Sequence, residues 1–102
     1  MNAGTLPDDA QVALIAETYR LLGDPTRLRV LLACLDGPLS VGGIVERTGA
    51  SQPLVSHHLR LLRGARLVRS HKQQRHVLYE AADAHIRDML HDMIEHAGET
   101  TD

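Results

Sequence analysis

The sequence predicts a mainly helical domain with a single β-hairpin. Apolar residues recur at helical spacing before Leu67 and again after Ala81, and two β-prone runs lie between them. Capping residues, glycines and prolines stand at nearly every change of pattern. A chain of 102 residues makes one domain, spanning 1–102 with loose ends at 1–7 and 100–102, and its core is small enough for dimerisation to help it. Trp and Phe are absent and only Tyr19 and Tyr79 are aromatic, so that core is aliphatic.

The first helix is capped by Asp8 or Asp9 and runs to about Leu22, with Val12, Ile15, Ala16, Tyr19 and Leu22 on one face. Gly23 ends it. Asp24-Pro25 starts a second helix, the Asp as N-cap and the Pro at the first position, where its missing N–H costs nothing. Leu28, Leu31, Leu32 and Leu35 carry that helix to Asp36, and Gly37-Pro38 stops it. A short third helix, Ser40 to Thr48, turns Val41, Ile44 and Val45 to one side and ends at Gly49. Ser51 then caps a fourth, Gln52 to Arg63, with Val55, Leu59 and Leu62 inward.

Two short helices joined by a tight Gly-containing turn, the second polar and basic on one side, form a helix-turn-helix pattern. The outward stripe is Gln52, Ser56, Arg60 and Arg63, flanked by Ser51 and His57. Gln reads adenine, Arg reads guanine and Ser serves base or phosphate, which is chemistry suited to a major groove. Leu67 to His71 and His76 to Glu80 are the β-prone runs, and Lys72-Gln73-Gln74-Arg75 joins them as a hairpin tip. A basic hairpin after such a helix is a wing, with Lys72 and Arg75 placed for phosphates or the minor groove. The fold class expected is a winged helix-turn-helix in the order α-α-α-α-β-β-α.

Charge agrees. The net charge of −2 conceals a stretch from Arg47 to Arg75 with seven bases and no acid, while all thirteen acids lie elsewhere. A basic patch on an otherwise acidic chain is the footprint of a phosphate-binding surface.

A last helix from about Ala81 to Ala97 carries Ile86, Met89, Leu90, Met93 and Ile94. That is more apolar surface than one flank of a small domain needs, and it suggests a dimer seam. On the same helix His85 and His96 share a face, but eleven residues separate them by roughly 16 Å, too far for one metal ion. Asp83 and Glu99 share a midpoint at residue 91 and the two histidines one at 90.5. A second, antiparallel copy would therefore pair Asp83 and His85 of one chain with His96 and Glu99 of the other, making two sites of two imidazoles and two carboxylates, a set zinc accepts. The plainer reading is a solvated helix face.

The remaining candidates carry less. Cys34 reads as a buried thiol, His58 as a packed, hydrogen-bonded histidine, and His91 as an interface or exposed residue near the dyad. His71 and His76 are expected as phosphate contacts or plainly exposed residues rather than as an adventitious metal site across the hairpin. Catalytic motifs are missing, so the chain reads as no enzyme. With no apolar run of membrane-spanning length, a cytoplasmic protein is expected.

These residues resemble the ArsR/SmtB family of winged-helix metal-sensing repressors. Leu21-Leu22-Gly23-Asp24-Pro25-Thr26-Arg27-Leu28 is similar to its opening signature, and Ser51 to Leu62 to its recognition helix. Asp83-x-His85 followed by His96-x-x-Glu99 is similar to its C-terminal-helix site. The resemblance implies a homodimer that binds double-stranded operator DNA, releases it when zinc binds across the interface, and relays the signal through the second ring nitrogen of His96. Ser40-Val41-Gly42-Gly43-Ile44 has no cysteine where relatives that sense thiophilic metals carry them, which argues against soft-metal sensing. Met1-Asn2-Ala3-Gly4 offers no histidine and the tail only Asp102, which favours four-coordinate Zn2+ over six-coordinate Ni2+ or Co2+. Two alternatives stay open: a winged-helix repressor answering to nickel, cobalt or a non-metal signal, and a dimeric module whose basic hairpin binds an acidic protein.

Overall fold

The computed structural model describes residues 5–99, so expectations for Met1 to Gly4 and for residues 100–102 lie outside the described residues. Its elements are α1 (Asp9–Leu22), α2 (Pro25–Ala33), α3 (Val41–Thr48), α4 (Gln52–Gly64), β1 (Val68–Gln73), β2 (His76–Ala81) and α5 (Ala84–Glu99). This is the expected order, α-α-α-α-β-β-α. No described helix is long and apolar enough to cross a membrane.

Local chemistry sets most boundaries. Asp8 caps α1 in a reciprocal box with Gln11. Asp24 caps α2 through Arg27 N–H at 2.9 Å, and Ser40 caps α3 through Gly43 N–H at 3.1 Å. Gly49 closes α3 with φ +74, a left-handed conformation that glycine adopts without strain.

Several boundaries differ from the sequence expectation, among them the end of α5, which runs to Glu99 rather than Ala97. α2 stops at Ala33 rather than Asp36, because Cys34 leaves helical geometry and the Cys34 and Leu35 N–H groups tighten onto the carbonyls of Leu31 and Leu32 at 3.2 Å. The hairpin connection is two residues, Gln74 and Arg75, rather than four. Gln74 takes φ +57 in place of the glycine such turns favour, and the ladder extends to Gln73 opposite His76. α5 begins three residues late, since Ala81 is the last rung of β2, opposite Val68, and Asp83 caps the helix through Ile86 N–H at 3.0 Å.

The exit from α4 was not legible either. Gly64 stays inside the helix, and the left-handed position falls to Arg66 (φ 62). The Arg66 N–H bonds Arg63 O and the Leu67 N–H bonds Leu62 O, a Schellman closure that turns the chain into the wing.

Val30, Leu31, Ile44, Val55, Leu59 and Leu62 centre the core, joined by Leu67, Val68 and Ala81 from the wing base. Burying α4 along Val55, Leu59 and Leu62 forces its opposite face outward. The wing is anchored a second time: the Leu39 and Tyr79 backbones exchange hydrogen bonds of 2.9 and 2.8 Å, tying β2 to the start of α3.

Candidate functional site

Packing of α4 exposes Gln52, His57, Arg60 and Arg63, with Ser56 half-buried at the groove edge. The Ser51 hydroxyl oxygen accepts from Leu54 N–H at 3.4 Å as the helix cap, so Ser51 serves the helix whatever else it contacts. Two of the seven bases are engaged within the protein. Arg47 donates to Ala33 O at 3.2 Å, and Arg69 pairs with Glu80 at 3.5 Å. Arg60, Arg63, Arg66, Lys72 and Arg75 are exposed and form no ion pair among the described residues.

The wing places its residues differently from the expectation. Arg75 is at the tip, but Lys72 is a strand residue opposite Val77, on the hairpin face that also carries Ser70 and Tyr79. His71 and His76 lie on the other face, paired with Leu78 and Gln73 rather than with each other, and His71 Nδ1 stands 3.4 Å from Glu80. Between α4 and the wing runs a groove of about 470 Å3 lined by Ser56, Leu59, Arg60, Arg63, Gly64 and Tyr79. Sequence reasoning passed over Tyr79 as a site residue. Its signal was the alternation that puts it on the wing face turned toward the core.

His58 is buried at 6 % exposure, as expected, but its Nδ1 has no hydrogen-bond partner among the described residues. Burial holds its pKa below the ordinary value; Asp24 opposes that, and Arg27 and His57 reinforce it. Cys34 is fully buried, and desolvation pushes its thiol up to about 11, an unreactive state.

At the ends of α5 the four candidate ligands fall into two pairs, His85 with Asp83 at 3.8 Å and His96 with Glu99 at 3.7 Å. All four are exposed. Asp83 Oδ1 accepts the helix-cap hydrogen bond from Ile86 N–H and is also the oxygen nearest His85 Nδ1. Among the described residues no cluster of three or more metal-binding side chains forms within the chain. His91 Nε2 meets Asp36 Oδ1 at 2.9 Å, tying α5 to the connection between α2 and α3.

A helix-turn-helix whose second helix and wing present unpaired cations around one groove defines a winged-helix regulator. Residues 24–70 match the model of the family described as bacterial regulatory protein, arsR family. The chain is 42% identical over 96 residues to the HTH-type transcriptional regulator KmtR of Mycobacterium tuberculosis, covering 91% of this chain and 73% of that protein. It is 36% identical to the regulator NmtR of the same organism, with 94% and 81% covered, and the solution structure of apo-NmtR superposes with a TM-score of 0.76 over 97% of this chain and 84% of that one. The structure of the cadmium metal-sensor CmtR from Mycobacterium tuberculosis is 39% identical, with a TM-score of 0.69 and coverage of 78% and 82%. The chain belongs to the ArsR family of bacterial transcriptional regulators. These relatives are regulators and not enzymes.

Proposed function

We propose that this regulator is a metal-responsive repressor. As a homodimer it binds operator DNA without metal and releases it when zinc occupies two sites, each made of Asp83 and His85 from one chain with His96 and Glu99 from the other. One observation carries the reading: α5 holds two exposed acid–histidine pairs, one at each end, and neither pair is a complete ligand set. The donors fit zinc, since two imidazoles and two carboxylates suit a four-coordinate site. Bound zinc would join the two chains at both ends of α5. Cobalt and nickel are the alternatives.

The dimer has surface to use. Val12, Ile15 and Tyr19 of α1 and Met93 and Ile94 of α5 are 46–58 % exposed, and an apolar groove of about 200 Å3 between these helices is lined by Tyr19, Leu28, Met89 and Met93. The radius of gyration, 14.9 Å, exceeds the roughly 13 Å of a compact domain this long. A second copy packed on this face would bury what one chain leaves open.

For release, the metal must favour a dimer geometry that fits DNA less well, because tight binding to both geometries shifts nothing. A coupling of about 1–3 kcal/mol is the ordinary range. In this reading His96 carries it, one ring nitrogen taking the metal and the other donating to a backbone acceptor.

The deciding experiment measures affinity for the DNA upstream of the protein's own gene, at fixed salt, with chelator and then with buffered zinc, cobalt or nickel. Tight binding weakened tenfold or more by zinc is the expected result. Indifference to all three metals would remove the metal switch and leave a repressor of another signal.

A further inference from the structure

Tyr79 sits where three elements meet. Its backbone N–H and C=O both bond to Leu39, the residue before the α3 cap, and its ring packs against the core. Its position in the ladder, opposite Ser70, points it to the hairpin face shared with buried Val68 and Ala81. It thereby lines the groove whose other wall is Ser56, Arg60 and Arg63. Its hydroxyl makes no hydrogen bond within the described residues. Nor is that hydroxyl sealed off, since the one side-chain polar atom both sealed and unpartnered among the described residues is His58 Nδ1. A ring that only filled space would be served as well by Phe, without a polar tip to solvate.

We propose that the Tyr79 hydroxyl is a DNA contact, donating a hydrogen bond to a backbone phosphate that lies in the groove between α4 and the wing, opposite the guanidinium groups of Arg60 and Arg63. The inference rests on the DNA-binding reading above. A phosphate fits better than a base edge because Tyr79 stands on the wing wall of the groove, beside the outward stripe of α4, and phosphates accept from neutral donors such as tyrosine. Two backbone bonds to Leu39 fix the donor, so the contact sets how deeply α4 seats in the major groove. Tyr79 is in this sense a positioning residue for recognition.

A neutral donor releases no counterion, which gives the contact a signature distinct from that of an arginine. In Tyr79→Phe, operator affinity at fixed salt should fall about tenfold or more for each chain in contact, the worth of one hydrogen bond to a charged group, with the slope of log affinity against log salt and the melting temperature unchanged. The chain has no Trp and two tyrosines, so in a Tyr19→Phe protein all intrinsic emission comes from Tyr79, and adding operator should change it. Unchanged affinity in Tyr79→Phe overturns the contact while wild-type binding upholds the DNA-binding reading. Affinity lost together with melting temperature, and with no emission change in the Tyr19→Phe protein, also overturns it, because ring packing would then explain the loss. A wild-type protein that binds no operator overturns both readings.

Discussion

Asp83 Oδ1 stands 3.8 Å from His85 Nδ1 in the turn that opens α5, while the same carboxylate caps the helix at Ile86. The cap holds Asp83 beside His85, and the opposite end of α5 carries a second acid–histidine pair, His96 with Glu99. A mixing experiment follows from this geometry. Asp83→Ala/His85→Ala and His96→Ala/Glu99→Ala proteins should each lose zinc affinity by roughly two orders of magnitude or more, with operator binding under chelator preserved. Mixed dimers should regain one tight site of the two. If mixing restored none, ligation between chains would be excluded.

Zinc affinity should fall steeply between pH 7 and 5.5, because only neutral imidazole ligates and free histidine titrates near 6.5. Competition with a metal indicator across that range tests it. A flat profile would remove His85 and His96 from the ligand set.

Arg60 is exposed on the outward stripe of α4 and forms no ion pair among the described residues. Arg60→Ala should weaken operator binding by about 1–3 kcal/mol and reduce the salt slope by about one charge per chain if it meets a phosphate. Its effect on zinc affinity should be near zero. Equal losses of DNA and zinc binding would instead indicate a damaged fold.

Arg66 occupies a left-handed position at φ 62 that glycine takes without penalty. Arg66→Gly should therefore raise stability to denaturant by up to about 1 kcal/mol, while lowering operator affinity through the lost cation. A destabilised variant would show that the Arg66 side chain stabilises the turn in a way its backbone does not reveal.

His58 sets a dependence of stability on pH. Its folded pKa lies below the 6.5 of the free side chain, chiefly through burial, so as pH falls the unfolded chain takes up the proton first. The stability is thus fully present above about pH 6.5 and declines as pH falls toward the folded value. Melting temperature should drop between pH 7.5 and 5, and the drop should be smaller in His58→Leu. Identical pH profiles for the two proteins would rule out His58 as the source.

Much of this was legible before the structure because it depends on neighbours in sequence. The caps at Asp8, Asp24 and Ser51 and the helix stop at Gly49 act over three or four residues, and their residue types announce them. The α4 stripe was legible for a related reason, since burying Val55, Leu59 and Leu62 leaves one face for Arg60 and Arg63. The hairpin length and the α4 exit were not, because Gln74 and Arg66 adopt positive φ against their own preferences, held there by ladder and helix-end hydrogen bonds.

By itself, then, the sequence determined the order of elements, the basic surface and the two acid–histidine pairs, all of which follow from periodicity and from charge along the chain. Only the tertiary structure decided which bases remain free, that Lys72 shares a hairpin face with Tyr79, and that Tyr79 closes the groove behind α4. Those outcomes depend on strand register and on the exchange of hydrogen bonds between Leu39 and Tyr79, forty residues apart. Pairing at that separation is set by the packed core, and no local pattern encodes it.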